Sequence, residues 1–301
     1  MPTPRLEFNH VGKQFVVRDH VGGSTARRTF TALQDFTLTV NSGEFLTIVG
    51  PSGCGKSTLL DLLGGLTTPT TGQILIDGHP ITGPGQDRGV VFQQYSLLPW
   101  RTALGNVEFG LEARGISRRE RRNIALEYLE LVGLDGFAGR YPHELSGGMK
   151  QRVAIARSLA FDPEILLMDE PFAALDAQTR ETLQDELLRI WRATGKTIVF
   201  ITHGIEEAVY LGQRVAVMTP RPGKLQEVIN VQFTDAEREN GTDLRSSPAF
   251  GALRHRIWNA LHADTDSELL SPAVSAKFSA TELTDAHQDT HLPVKEETLA
   301  H

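Results

Sequence analysis

Short apolar runs rich in β-branched residues recur along the chain: Glu44-Phe45-Leu46-Thr47-Ile48-Val49, Val90-Val91-Phe92, Ile165-Leu166-Leu167-Met168 and Ile198-Val199-Phe200-Ile201-Thr202. Runs this short and this apolar predict buried strands rather than helices. Leu6-Glu7-Phe8-Asn9-His10-Val11 instead alternates, as a half-exposed strand does. Between Gln93 and about residue 162 strand character disappears. There Ile124, Leu126, Tyr128, Leu129 and Leu131 predict an amphipathic helix over Ser117–Val132 that breaks at Gly133. Ser247-Pro248 reads as an N-cap followed by proline at the first helical position, and Phe250, Leu253, Ile257 and Leu261 extend that helix to about His262. Asp19 to Arg28, polar and glycine-bearing, reads as a rather long hairpin loop.

The Glu44–Val49 strand runs into Gly50-Pro51-Ser52-Gly53-Cys54-Gly55-Lys56-Ser57-Thr58, and a helix-like run follows to Leu66. Strand, glycine-rich loop and helix form the context in which G-x-x-x-x-G-K-[ST] cradles phosphates. The glycines let backbone N–H groups turn inward, and the helix N-terminus adds partial positive charge. Lys56 would reach the β- and γ-phosphates of a nucleotide, and the Ser57 hydroxyl would ligate Mg²⁺.

Downstream lies Leu145-Ser146-Gly147-Gly148-Met149-Lys150-Gln151-Arg152. This segment resembles the signature of the ATP-binding cassette (ABC) ATPases, which bind ATP between the phosphate loop of one subunit and the signature of another. The resemblance runs from about residue 5 to 230, more faintly to 262, and looks closest to the ATPases of nitrate, sulfonate and taurine importers. Gly83-Pro84-Gly85-Gln86-Asp87-Arg88-Gly89, Leu97-Leu98-Pro99-Trp100 and Pro171–Arg180 point to that group.

The resemblance assigns roles residue by residue. Ser146, Gly147 and Gly148 would meet the partner's γ-phosphate. An apolar strand ending in Asp-Glu is by itself only a strand running into a turn; after the signature, Asp169 and Glu170 look like the metal-shell acid and the general base. Gln93, directly after Val-Phe and ahead of Gln94, matches the glutamine that reaches Mg²⁺ and the γ-phosphate side. His203 matches the switch histidine, although Gly204 stands where the family usually has Asp. Ala174-Leu175-Asp176 looks like the D-loop, with Ala173 where Ser is frequent. Phe15 matches the aromatic that stacks on adenine; the lesser alternative is a plain core residue. Leu97–Arg101 falls where the family receives a permease coupling helix.

Composition narrows the setting. Of a net charge of −7, most comes from Asp264, Asp266, Glu268, Glu282, Asp285, Asp289, Glu296 and Glu297, opposed by Lys277 and Lys295. Nothing resembles the basic footprint of a nucleic-acid binder. Arg118-Arg119-Glu120-Arg121-Arg122 is short and mixed, a solvated helix face. The single cysteine, Cys54, makes no disulfide framework and suits a reducing compartment as a small loop residue. The first residues lack a secretory signal, and no apolar run approaches the ~18 residues of a membrane helix.

The expected fold is α/β, a P-loop NTPase of the ABC type: a mixed sheet core, an antiparallel β subdomain and an α-helical signature subdomain. Expected boundaries are 5–235 for the ATPase domain, with its helical subdomain at about 95–160, a helical extension over 236–263, and an acidic, disordered tail over 264–301. The resemblance implies an ATPase that closes as a homodimer on ATP and Mg²⁺ and drives a transmembrane permease fed by an extracytoplasmic solute-binding protein. It would sit peripherally on the cytoplasmic face of the cell membrane and import taurine or another sulfonate, nitrate or bicarbonate. No nucleic-acid partner is expected. The alternative is a soluble, non-transport ABC ATPase of translation or DNA repair. Such members usually carry two cassettes or long coiled coils, whereas this chain has one copy of each motif. The signature excludes a generic phosphate-loop kinase.

Overall fold

The computed structural model describes residues 3–21, 24–233, 237 and 241–269. Two sheets organise them. The first is antiparallel, ordered β2-β1-β4-β5, from β1 (Pro4–Val21), β2 (Ser24–Asn41), β4 (Thr71–Ile76) and β5 (His79–Pro80). The second is ordered β10-β9-β3-β8-β7-β6. Its members are β3 (Phe45–Val49), β6 (Arg88–Val91), β7 (Ile165–Asp169), β8 (Thr197–Thr202), β9 (Arg214–Met218) and β10 (Leu225–Asn230). All its pairings are parallel except β9–β10.

The continuous apolar runs exist because this sheet is covered on both faces. Along β8, Ile198 and Phe200 join one core, and Val199 and Ile201 the other. Leu166 and Met168 of β7 likewise face away from Ile165 and Leu167. One core holds helices α2 (Ala103–Ala113), α3 (Arg118–Leu131), α4 (Gly147–Leu159), α5 (Ala177–Thr194) and α6 (Ile205–Leu211). The other joins α1 (Lys56–Leu63) to the antiparallel sheet through Leu6, Phe8, Phe36 and Ile74.

Helix α3 starts at Ser117, whose hydroxyl accepts from the Glu120 N–H, and buries Ala125 and Leu129 while its arginine-rich first turn stays outside. Asn106, fully buried on α2, donates to the carbonyls of Leu98, Arg101 and Thr102 and accepts from the Leu98 N–H. It fixes the 98–102 loop to α2.

Two expectations need correction. The stretch 19–28 is not a long loop: β1 and β2 stay in register through Asp19↔Ala26 and His20↔Thr25 to Val21↔Ser24. At the start of this ribbon Val16 and Val17 are exposed, so these positions have no buried face to imprint an alternation. Backbone pairing and β-branched residues carry it. The last helix also overruns its expected end. After α7 (Gly241–Ser246), α8 spans Pro248–Leu269. Phe250 and Ile257 anchor α8 in the core, and once nucleated a helix extends at little further cost. Of the expected tail, residues 270–301 lie outside the described residues. Among the described residues no helix is long and apolar enough to cross a membrane.

Candidate functional site

The parallel strands deliver the candidate residues at their carboxyl ends, where α/β sheets hold ligands. β3 leads into the phosphate loop, β7 ends at Asp169 and Glu170, and β8 leads to His203. Gly55, at φ 103°, sits in a left-handed conformation at the N-cap of α1, which a glycine adopts without strain. The Lys56 ammonium, buried, donates to the carbonyls of Gly50 (2.8 Å) and Pro51 (3.2 Å) within its own loop. Cys54 is fully buried, and burial pushes its thiol pKa up against the pull of Lys56, so it packs as a small apolar residue.

A cavity of about 270 Å³ over the loop is lined by Phe30, Ala32, Lys56, Ser57, Glu170 and Arg221, with Ser52, Gly53, Gly55 and Thr58. Phe15 is not a core residue. It is 39% exposed and stands opposite Phe30 in the β1–β2 register, so the two rings share one face of the ribbon. The Lys13 ammonium lies 5.2 Å from the Phe15 ring centre.

Glu170 and His203 meet: His203 Nδ1 is 3.0 Å from Glu170 Oε2. Glu170 has φ 43°, a sparsely populated conformation held here by its N–H donating to the Ile201 carbonyl at 2.9 Å. Burial first, and then the Glu170 charge, push the Asp169 pKa up, while Lys56 pulls it down.

The remaining candidates do not line the loop cavity. Gln93 is exposed after β6. Its neighbours Tyr95 and Ser96 accept from the Arg157 guanidinium of α4, which ties that loop to the signature helix. Ser146 caps α4, its hydroxyl accepting from the Met149 N–H at 3.3 Å. Gly147 and Gly148 begin α4. Asp176 caps α5, and the Thr179 N–H bound at 3.0 Å holds its pKa down. The candidate residues of a single copy therefore fall into two groups, one at the phosphate loop and one at the helix starts of α4 and α5.

The ABC transporter family model matches residues 33–173. An uncharacterised ABC transporter ATP-binding protein of Methanocaldococcus jannaschii is 56% identical over 230 residues, 76% of this chain and 84% of that protein. The taurine import ATP-binding protein TauB of Rhizobium johnstonii is 50% identical over 241 residues, 79% and 92% of the two chains. The chain is also similar to a dimeric, post-hydrolysis structure of the ATP-binding cassette MJ0796 bound to ADP and Pi, at 36% identity and TM-score 0.64, over 76% of this chain and 100% of that one. This chain belongs to the ATP-binding proteins of ABC transporters. It is an ATPase with the P-loop fold, and ATP is its ligand.

For this ABC ATPase the divalent cation that accompanies ATP must fit the donors present. The Ser57 hydroxyl is exposed at the start of α1, and the Asp169 carboxyl is disfavoured as an anion by burial and by Glu170. An all-oxygen pair short of positive charge suits Mg²⁺, which takes one or two protein oxygens plus phosphates and water.

The same electrostatics predict a stability effect. An acid with a raised folded-state pKa loses its proton first in the unfolded chain. Asp169 therefore opposes folding increasingly as pH climbs past about 4, its ordinary value, until the folded group ionises too. At pH 7, Asp169→Asn should raise the melting temperature of the nucleotide-free protein by roughly 1–3 °C. It should also abolish the further rise that Mg²⁺-ATP gives the parent. Calorimetry with and without Mg²⁺-ATP checks both, and a fall in the nucleotide-free midpoint would contradict the electrostatic reading.

Sequence reasoning missed Phe30 and Arg221. Arg221 Nε donates to the Gly53 carbonyl at 2.6 Å, and its guanidinium lies 5.1 Å from the Phe30 ring centre. Nothing in Thr219-Pro220-Arg221-Pro222-Gly223 marks it; the link is made by Gly223, whose N–H and carbonyl pair with Ala32 and Gln34 of β2. The signal for Phe30 was its pairing with Phe15, concealed by reading the ribbon as a loop.

Proposed function

We propose that the chain is the ATP-hydrolysing subunit of an importer for a small anionic solute, with taurine or a related sulfonate ahead of nitrate or bicarbonate. The kinship with a taurine import ATP-binding protein at 50% identity carries this reading. Residues 5–235 act as the ATPase domain, and α7 and α8 extend it.

Two copies close head to tail, so that the phosphate loop of one (Gly50 to Thr58) faces Ser146, Gly147, Gly148 and Asp176 of the other. Phe15 stacks on adenine, with Phe30 beside it. Lys56 leaves its loop carbonyls for the β- and γ-phosphates. Ser57, Asp169 and Gln93 would hold Mg²⁺, which would supply positive charge to offset that of the phosphates. Glu170 takes the proton of the attacking water, and His203, hydrogen-bonded to Glu170, contacts the γ-phosphate and fixes that carboxylate's orientation.

The permease docks on the loop that Asn106 pins, where Trp100 is 69% exposed and the exposed Phe109 ring lies against Arg101. Attachment to the membrane is peripheral, through that permease. The test is reconstitution of the purified chain in vesicles with a permease that it co-purifies with and a taurine-binding protein. ATP hydrolysis should rise several-fold with taurine-loaded binding protein and fall when Trp100→Glu is introduced. Stimulation by nitrate or bicarbonate alone would reassign the solute; failure to associate with any permease would refute the transport role.

A further inference from the structure

A chain of hydrogen bonds leads from the C-terminal helices to the turn that carries His203. Arg245, on α7, donates to Gln184 Oε1 at 2.8 Å. Gln184, buried on α5, donates through its amide nitrogen to Glu207 Oε1 at 2.9 Å. The other carboxylate oxygen of Glu207, on α6, accepts from the Thr202 hydroxyl. That hydroxyl in turn accepts from the Gly204 N–H at 2.9 Å. Thr202 and Gly204 bracket His203, whose ring meets Glu170.

Every donor and acceptor in this chain is used in one sense. A glutamate with two donors aimed at it and none to offer must accept at both oxygens. Burial raises the Glu207 pKa, and the Thr202 and Gln184 hydrogen bonds oppose that rise, as does the Arg180 charge. Arg245 is itself confined: its guanidinium stacks 3.9 Å from the Tyr210 ring centre and lies 3.8 Å from Glu181. Arg254 of α8 adds a second tie to α6, 2.8 Å from Glu206. A cavity of about 680 Å³ is lined both by Arg245 and Arg254 of these helices and by Glu170 and His203, and Gln184, Glu207 and Thr202 of the relay line it as well.

We infer that Glu207, Gln184 and Arg245 are positioning residues for ATP hydrolysis: the C-terminal arm braces the turn that aims His203 at Glu170 and the γ-phosphate. The inference rests on the proposed roles of His203 and Glu170. None of the three positioning residues touches the phosphate loop, so their loss should lower kcat and leave the KM for ATP nearly unchanged, the pattern of an interaction that matters only in the transition state. A misaimed catalytic group can lose up to about 100-fold.

The experiment is steady-state ATP hydrolysis by the full chain carrying Glu207→Gln, Arg245→Met or Arg245→Lys, with His203→Ala as the benchmark. Glu207→Gln turns one acceptor oxygen into a donor, so the Thr202 hydroxyl must reverse to accept and the sense of the chain at the switch turn is lost; it should cut kcat by roughly 10- to 100-fold with KM within about twofold. Arg245→Met keeps the stem and removes the donor, and should fall in the same direction. Arg245→Lys, which can still donate to Gln184, should recover most of the loss. Combined with His203→Ala, neither Glu207→Gln nor Arg245→Met should reduce kcat further, because residues acting through one group are not additive. General destabilisation would instead multiply with His203→Ala and would track the melting temperature.

If Glu207→Gln does not fold, Arg245→Met carries the test. An inactive His203→Ala alongside undisturbed Glu207→Gln and Arg245→Met overturns the relay alone. Normal turnover by His203→Ala overturns both the relay and the role given to His203.

Discussion

Glu170→Gln should bind ATP as tightly as the parent chain and hydrolyse it about 10² to 10⁴ times more slowly, the range expected when a general base is removed. The substitution keeps the shape and the hydrogen bond at His203 Nδ1 but removes the group that can take a proton. The backbone at Glu170 is already committed: φ is 43°, and the N–H is held by Ile201. Glutamine can occupy the same position, so the loss would be chemical rather than structural. Lys56 and the glycine loop are unchanged, so nucleotide affinity should stay within about twofold, and the ATP-loaded dimer should persist because it cannot reset. Phosphate release under saturating ATP, with size-exclusion chromatography of the same sample, reads both effects. Turnover near that of the parent would remove Glu170 from the role of base and leave the transfer to Asp169 or to water alone.

The parts of this site that were legible in sequence are those dictated by local physics. A strand buried on both faces must be apolar throughout, and a phosphate loop must have glycines where its backbone turns inward. Asp169 ends β7, Glu170 follows it and His203 follows β8, but the roles proposed for them came from the resemblance to the ABC ATPases and not from those positions alone. What sequence did not give were features made by pairing at a distance. Phe30 matters only because β1 and β2 remain paired past the sheet, on a ribbon whose exposed Val16 and Val17 leave no periodic trace. Arg221 reaches Gly53 only because Gly223 is stitched to β2. The Gln184–Glu207 hydrogen bond joins two helices by side chains that in sequence look like ordinary polar positions. The end of α8 was misplaced because an acidic, Ser/Thr-containing stretch lowers helix propensity but does not forbid continuing a helix already anchored by Phe250 and Ile257.

Ser146→Arg should leave ATP binding by one copy intact and abolish ATP-driven dimerisation and hydrolysis. Ser146 is exposed at the start of α4, away from the cavity that Lys56 and Ser57 line, so a single subunit has no use for it in binding. What the serine does locally is cap the helix by accepting from the Met149 N–H, and loss of such a cap costs about 1 kcal/mol, which a chain of this size survives. The surface around it has no slack. A side chain on Gly148 would come within 2.8 Å of the Thr179 methyl on α5, so α4 cannot settle back to make room for an arginine, which must project outward into the space a second copy would fill. Mixing supplies the decisive measurement. In a heterodimer of Ser146→Arg with Lys56→Ala, one composite site carries both defects and the other carries neither. The mixture should therefore regain activity that neither protein has alone, up to one working site per dimer. Ser146→Arg protein that hydrolyses ATP normally on its own would refute the head-to-tail arrangement. A mixture no more active than its components would show that both sites must work together.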